Sequence, residues 1–167
     1  MRHRDLLVLA LLCGGAPGWA LMSTGCGDAG AAPAQPLPFP HAPHTENQIE
    51  CVFCHEFPDR QAAAGIPRTE LCGNCHSAMP QESPATSKLM EFVDSEEQIP
   101  WVRVFEVPQY AYFPHKWHLR AGVSCEECHE GVGRSVVTSR HYEIEMAWCV
   151  DCHEERQASI DCVTCHK

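Results

Sequence analysis

The chain has 167 residues, of which 44% are hydrophobic and 20% charged, with 13 Pro, 11 Gly, 12 Cys and a formal net charge of −10. Its length suits one domain, and its acidity argues against a nucleic-acid partner. The Pro and Gly content and the shortage of long apolar runs leave too little periodic sequence for an ordinary hydrophobic core.

Residues 1–25 read as a targeting segment. Arg2 and Arg4 give a positive start, and Leu6 to Leu12 is unbroken apolar sequence. Gly14, Gly15 and Pro17 interrupt the run too soon for a membrane span. Cys13 lies inside this segment and would leave with it. The stretch Leu21-Met22-Ser23-Thr24-Gly25-Cys26 resembles a bacterial lipobox, with Ser23 where Leu is usual. That resemblance implies a lipid on Cys26, with residues 26–38 as a flexible Ala/Pro/Gly/Gln tether. The alternative is ordinary cleavage near Ala20, which leaves Cys26 a free thiol. Cys26 otherwise lacks a role in an exported chain, so the expectation is a protein on the periplasmic side of a membrane, anchored by lipid. Cleavage before Cys26 removes two Arg and one Asp and makes the net charge −11.

The body runs from 39 to 167. Phe39-Pro40-His41-Ala42-Pro43-His44 leads into Cys51-Val52-Phe53-Cys54-His55, and Cys72-Gly73-Asn74-Cys75-His76 follows. In the connection 77–124, Ser87 to Glu97 has helical periodicity, with Leu89, Met90 and Val93 on one side and Ser87 as the cap. Residues 100–113 read as extended, rich in Trp, Val, Phe and Tyr between Pro100 and Pro114. Phe113-Pro114-His115-Lys116-Trp117-His118 then leads into Cys125-Glu126-Glu127-Cys128-His129, and Cys149-Val150-Asp151-Cys152-His153 follows. Cys162-Val163-Thr164-Cys165-His166 closes the series. Residues 39–55 align without a gap on 113–129, so the body holds an internal repeat.

Cys-x-x-Cys-His is the attachment signature of c-type haem. The two thiols bond covalently to the haem edge and the next residue, His, coordinates the iron. Zinc half-sites, redox dithiols and disulfides all use paired Cys, but none requires His directly after the second one five times. Five covalent haems are therefore expected, on Cys51/Cys54, Cys72/Cys75, Cys125/Cys128, Cys149/Cys152 and Cys162/Cys165. Their proximal ligands would be His55, His76, His129, His153 and His166. The repeat makes two dihaem units, 39–76 and 113–153, with a fifth haem at 162–166.

Of the 11 His, His3 falls in the targeting segment and five are proximal. His41, His44, His115, His118 and His141 remain, one for each distal position. Pairs at i, i+3 share a helical face, so each pair can clamp two neighbouring haems. His141 stands outside the repeat, and Met146 competes with it as a thioether ligand that would raise that haem's potential. The expected fold is a multihaem cytochrome c of short α-helices and loops wrapped on haem, with little sheet. Six-coordinate haems pass electrons. A reductase would need an open iron, often with a Cys-x-x-Cys-Lys motif, and the sequence holds no such motif.

The pattern Phe-Pro-His-x-x-His-x6-Cys-x-x-Cys-His resembles class III multihaem cytochromes c. The resemblance implies that His41 ligates the haem of Cys51/Cys54 and His115 that of Cys125/Cys128. It implies that His44 and His118 reach neighbouring haems. Residues Ile99 to Phe113, with Met146-Ala147-Trp148-Cys149 to His153, resemble the pentahaem cytochrome subunit of alternative complex III. They also resemble related cytochromes of membrane molybdopterin/iron–sulfur quinone oxidoreductases. That likeness, spanning 39–167, places Met at position 146. It implies an iron–sulfur/molybdopterin-type protein and a quinone-binding membrane subunit as partners, with a soluble cytochrome or oxidase as acceptor.

Overall fold

A computed structural model describes residues 32–140 and 142–167. The targeting segment, Cys26 and His141 lie outside the described residues. Among those described, the regular structure is helical and there is no strand. The helices are α1 (Ala42–Glu46), α2 (Cys51–Cys54), α3 (Thr69–His76), α4 (Pro84–Asp94), α5 (His115–Arg120), α6 (Cys125–Cys128), α7 (Met146–Glu155) and α8 (Cys162–Cys165). A 3-10 turn spans Val132–Arg134. No described helix is long and apolar enough to cross a membrane.

The helix expected from Ser87 begins earlier, as α4. Ser83 is its cap: the Thr86 amide donates to Ser83 Oγ at 3.1 Å and the Ser83 amide donates to Thr86 Oγ1 at 3.2 Å. Pro84 follows at the first helical position, where its fixed φ suits the helix and its missing N–H costs nothing. Residues 100–113 form no strand and run as irregular chain.

The apolar interior is small. Among the described residues Leu37, Leu89 and Ile99 are its buried members, with Cys72, Phe92, Val93 and Trp101 partly buried around them. It lies where α3 packs on α4. Thr69 is buried at the start of α3, and its Oγ1 accepts from the Ile99 amide at 3.0 Å. No side chain among the described residues is completely enclosed.

Polar contacts join the two halves of the body. Thr45 Oγ1 donates to the Gly133 carbonyl at 2.6 Å, and the Ala42 amide donates to the Ser135 carbonyl at 3.1 Å. These bonds seat α1 on the 3-10 turn that follows α6.

Candidate haem sites

Each Cys pair occupies one helical turn, on α2, α3, α6, α7 and α8. That turn sets both thiols on one side. In the first, third and fifth motifs the helix stops at the second Cys, and His leaves it with a non-helical backbone. There the His55, His129 and His166 amides donate to the Cys51, Cys125 and Cys162 carbonyls at 2.9, 2.8 and 2.9 Å. His76 and His153 remain inside α3 and α7.

The paired histidines ahead of the motifs face the motif histidines. His44 lies 6.1 Å from His76, ring centre to ring centre. His115 lies 6.3 Å from His129, and His118 lies 6.0 Å from His153. His41 neighbours His55 and His44. Two imidazoles on opposite sides of one metal, each with a metal–nitrogen bond of about 2 Å, put their ring centres about 6 Å apart. The donor set therefore fits a six-coordinate iron between each pair. It does not fit structural zinc, which takes four ligands: among the described residues no three His, Cys, Asp or Glu side chains gather as a metal group. The ten motif thiols are all free.

Hydrogen bonds hold the rings with one nitrogen turned away from the pair. Nδ1 of His44 donates to the Pro40 carbonyl at 2.9 Å, and Nδ1 of His118 to Pro114 at 3.3 Å. His55 donates to Gly65 at 2.7 Å, His115 to Ala62 at 2.9 Å and His153 to Ser159 at 2.6 Å. Carbonyls only accept, so Nδ1 carries the proton and Nε2 is left for a metal. His41 Nδ1 meets Thr138 Oγ1 at 3.0 Å. His76 Nδ1 is buried without a partner. Burial lowers the pKa of His41 to about 4, helped by His55 and His44. Burial likewise pushes His76, His118 and His129 down. Neutral imidazole is the ligating form.

Aromatic rings buttress the pairs in a repeated way. Phe39 meets the His41 ring edge-on at 4.9 Å and stacks on His44 at 4.7 Å. Phe113 meets His115 edge-on at 5.0 Å and lies 4.5 Å from His118. Phe105 packs edge-on against His129 at 4.6 Å. Sequence reading missed Phe105 and Thr138. It also missed the carbonyls of Gly65, Ala62 and Ser159, because a main-chain oxygen leaves no mark in residue type. The signal for Phe39 and Phe113 was present, since both are fixed in the repeat.

Thiols of different motifs are near enough to influence one another. Burial raises the Cys54 pKa, and Cys75 adds to this. Cys72 in turn lies beside Cys54. Burial raises the Cys125 pKa, and its neighbour Cys51 adds to this. Cys128 has Cys152 and Cys149 as neighbours, and Cys149 has Cys165.

The fifth motif stands apart. His166 donates from Nδ1 to the Tyr110 carbonyl at 3.1 Å, and its ring stacks on Tyr110 at 6.1 Å rather than on an imidazole. Met146 opens α7 and is exposed.

Comparison with known proteins agrees with the donor geometry. Residues 111–167 match the family described as cytochrome c7 and related cytochrome c. The chain is also 27% identical over 161 residues to the menaquinone reductase, multiheme cytochrome c subunit, of Nitratidesulfovibrio vulgaris. The similarity covers 80% of this chain and 77% of that protein. The chain is thus related to multihaem c-type cytochromes, whose cofactor is covalent haem c. The family match takes in the second His pair and the last three motifs. The first unit lies outside it, but its Phe39 contacts and its His44–His76 pair match those of Phe113 and the His118–His153 pair.

Proposed function

We propose that the chain is a pentahaem cytochrome c that relays electrons between a membrane quinone-reacting module and a redox partner on the periplasmic side. The observation that carries this is the set of facing imidazoles, 6.0 to 6.3 Å apart at three of the motifs. The ten motif Cys hold the five haems, and His55, His76, His129, His153 and His166 are the proximal ligands. His41, His44, His115 and His118 are the distal ligands of the first four irons. Haem supplies one-electron chemistry at its iron; the polypeptide supplies spacing, neutral imidazoles and their orientation.

The named relative belongs to a menaquinone reductase, which supports a quinone-linked module as the neighbour here. In this reading an iron–sulfur/molybdopterin-type protein and a quinone-binding membrane subunit complete the module. A soluble cytochrome or oxidase exchanges electrons with the relay, and Cys26 holds the chain to the membrane by lipid.

For the fifth iron, Met146 and His141 compete. Met146 precedes Cys149 by one helical turn, and Cys149 neighbours Cys165 of the fifth motif. That position favours Met146. Met146→Ala then removes one high-potential haem from a redox titration, and His141→Ala leaves the titration unchanged. The reverse result assigns His141.

The test of the whole reading is haem content and spin state. Five covalent haems per chain, all low-spin at rest, are expected from the alkaline pyridine spectrum and from electron paramagnetic resonance. Fewer haems, or a stoichiometric high-spin iron, would overturn it.

A further inference from the structure

The motifs do not follow one another in space as they do along the chain. α1 carries His44 opposite His76 and His41 beside His55, so the first and second motifs are neighbours. α5 carries His115 opposite His129 and His118 opposite His153, so the third and fourth are neighbours. The contacts that join the halves lie beside the first and third motifs. His115 donates to Ala62, seven residues past His55, and Thr138 bonds His41. Thr45 of α1 bonds Gly133, four residues past His129. The Cys51 and Cys125 thiols are neighbours, as are His55 and His129. The second motif is backed by α4. At the other end His153 bonds Ser159, and Cys149 lies beside Cys165.

We infer that the five attachment sites form one unbranched file in the order second, first, third, fourth, fifth. The second and fifth motifs are then its two ends, where redox partners exchange electrons. The junction between the first and third motifs is the one connection between the halves of the file. This inference rests on the pentahaem reading above.

The test is a haem-by-haem redox titration followed by the paramagnetically shifted haem methyl signals in NMR, on the haem-loaded protein. Two variants change one site each and retain a ligand. In His115→Met the titrations of the haems at the first and fourth motifs shift, and that at the second does not. In His44→Met the haem at the first motif shifts, and that at the third does not. Sequence order demands the opposite: the second responding to His115→Met, and the third to His44→Met. Either response, if larger than that of the first-motif haem, overturns the file. If a variant loses its haem, the wild-type titration decides. Its pairwise redox interactions are expected to be larger between first and third than between second and third, and the reverse overturns the inference. Failure of the pentahaem reading shows separately, as fewer than five low-spin haems before any substitution.

Discussion

Gln48, Glu96, Gly122 and Gln157 all adopt left-handed backbone, with φ of 63°, 57°, 77° and 55°. Each ends a helix in the same way. The amide one residue beyond reaches back five positions: Ile49 to His44, Glu97 to Phe92, Val123 to His118 and Ala158 to His153. Three of these helix ends thus place a side chain where glycine is the natural choice. For a residue with a Cβ the left-handed conformation costs roughly 1–2 kcal/mol, against about 0.5–1 kcal/mol for the extra freedom of unfolded glycine. A Cβ at Gly122 meets nothing within 4 Å, so Gly122→Ala isolates the backbone cost. It should destabilise the haem-loaded protein by about 1 kcal/mol in urea unfolding. Gln48 is the equivalent position in the first unit and is exposed. Gln48→Gly should stabilise by up to about 1 kcal/mol. A neutral Gly122→Ala would mean that the turn does not hold the second His pair in place.

The contact of α3 with α4 depends on a glycine for a different reason. Gly73, inside the second motif, faces Val93, and a Cβ there would stand 3.0 Å from Val93 Cγ1. Ala at that position gains about 1 kcal/mol in helix propensity, but overpacking costs about 1–3 kcal/mol. Gly73→Ala should therefore be destabilising alone and close to neutral or better with Val93→Ala. A thermal-unfolding double-mutant cycle reads this as a non-additive pair; strict additivity would refute the contact. Helical periodicity made Leu89, Met90 and Val93 legible in the sequence. It could not show Gly73 as their partner, since that needs the fold. The cap was misplaced by four residues because Ser83 and Ser87 look alike, and Pro84 is what selects Ser83. At α6, Glu127 accepts from the Ser124 amide at 2.7 Å and pairs with Arg156 beyond the end of α7. The Ser124 bond, first, and then Arg156 lower the Glu127 pKa. A depressed carboxyl contributes stability above its unfolded pKa and loses it as pH falls through the folded value. Glu127→Gln should flatten the acid side of the stability profile, and an unchanged profile would exclude this role.

At the scale of the molecule, the repeat was legible in residues, and Phe39 and Phe113 make matching contacts with their His pairs. The joining of its two copies was not. That junction runs through the carbonyls of Ala62 and Gly133 and the hydroxyl of Thr138, and nothing in residue spacing marks such atoms. The same architecture limits what the polypeptide can do alone. Among the described residues its buried apolar members are Leu37, Leu89 and Ile99, all beside the second motif. Around the other motifs Val52, Phe53 and Val163 are exposed at 51%, 53% and 75%. Fixing each residue's backbone costs roughly 1–2 kcal/mol, and so small an interior does not offset that over the whole chain. Folding should then be coupled to haem, as it is to metal in small stapled domains, because a group held only by the folded chain stabilises it by mass action. Chain produced without haem attachment and kept reduced should show an unfolded far-ultraviolet dichroism spectrum. It should also lack a cooperative thermal transition, while the haem-loaded protein shows helix and a sharp one. A cooperative transition in the haem-free chain would mean that the α3–α4 core organises more of the molecule than its size allows.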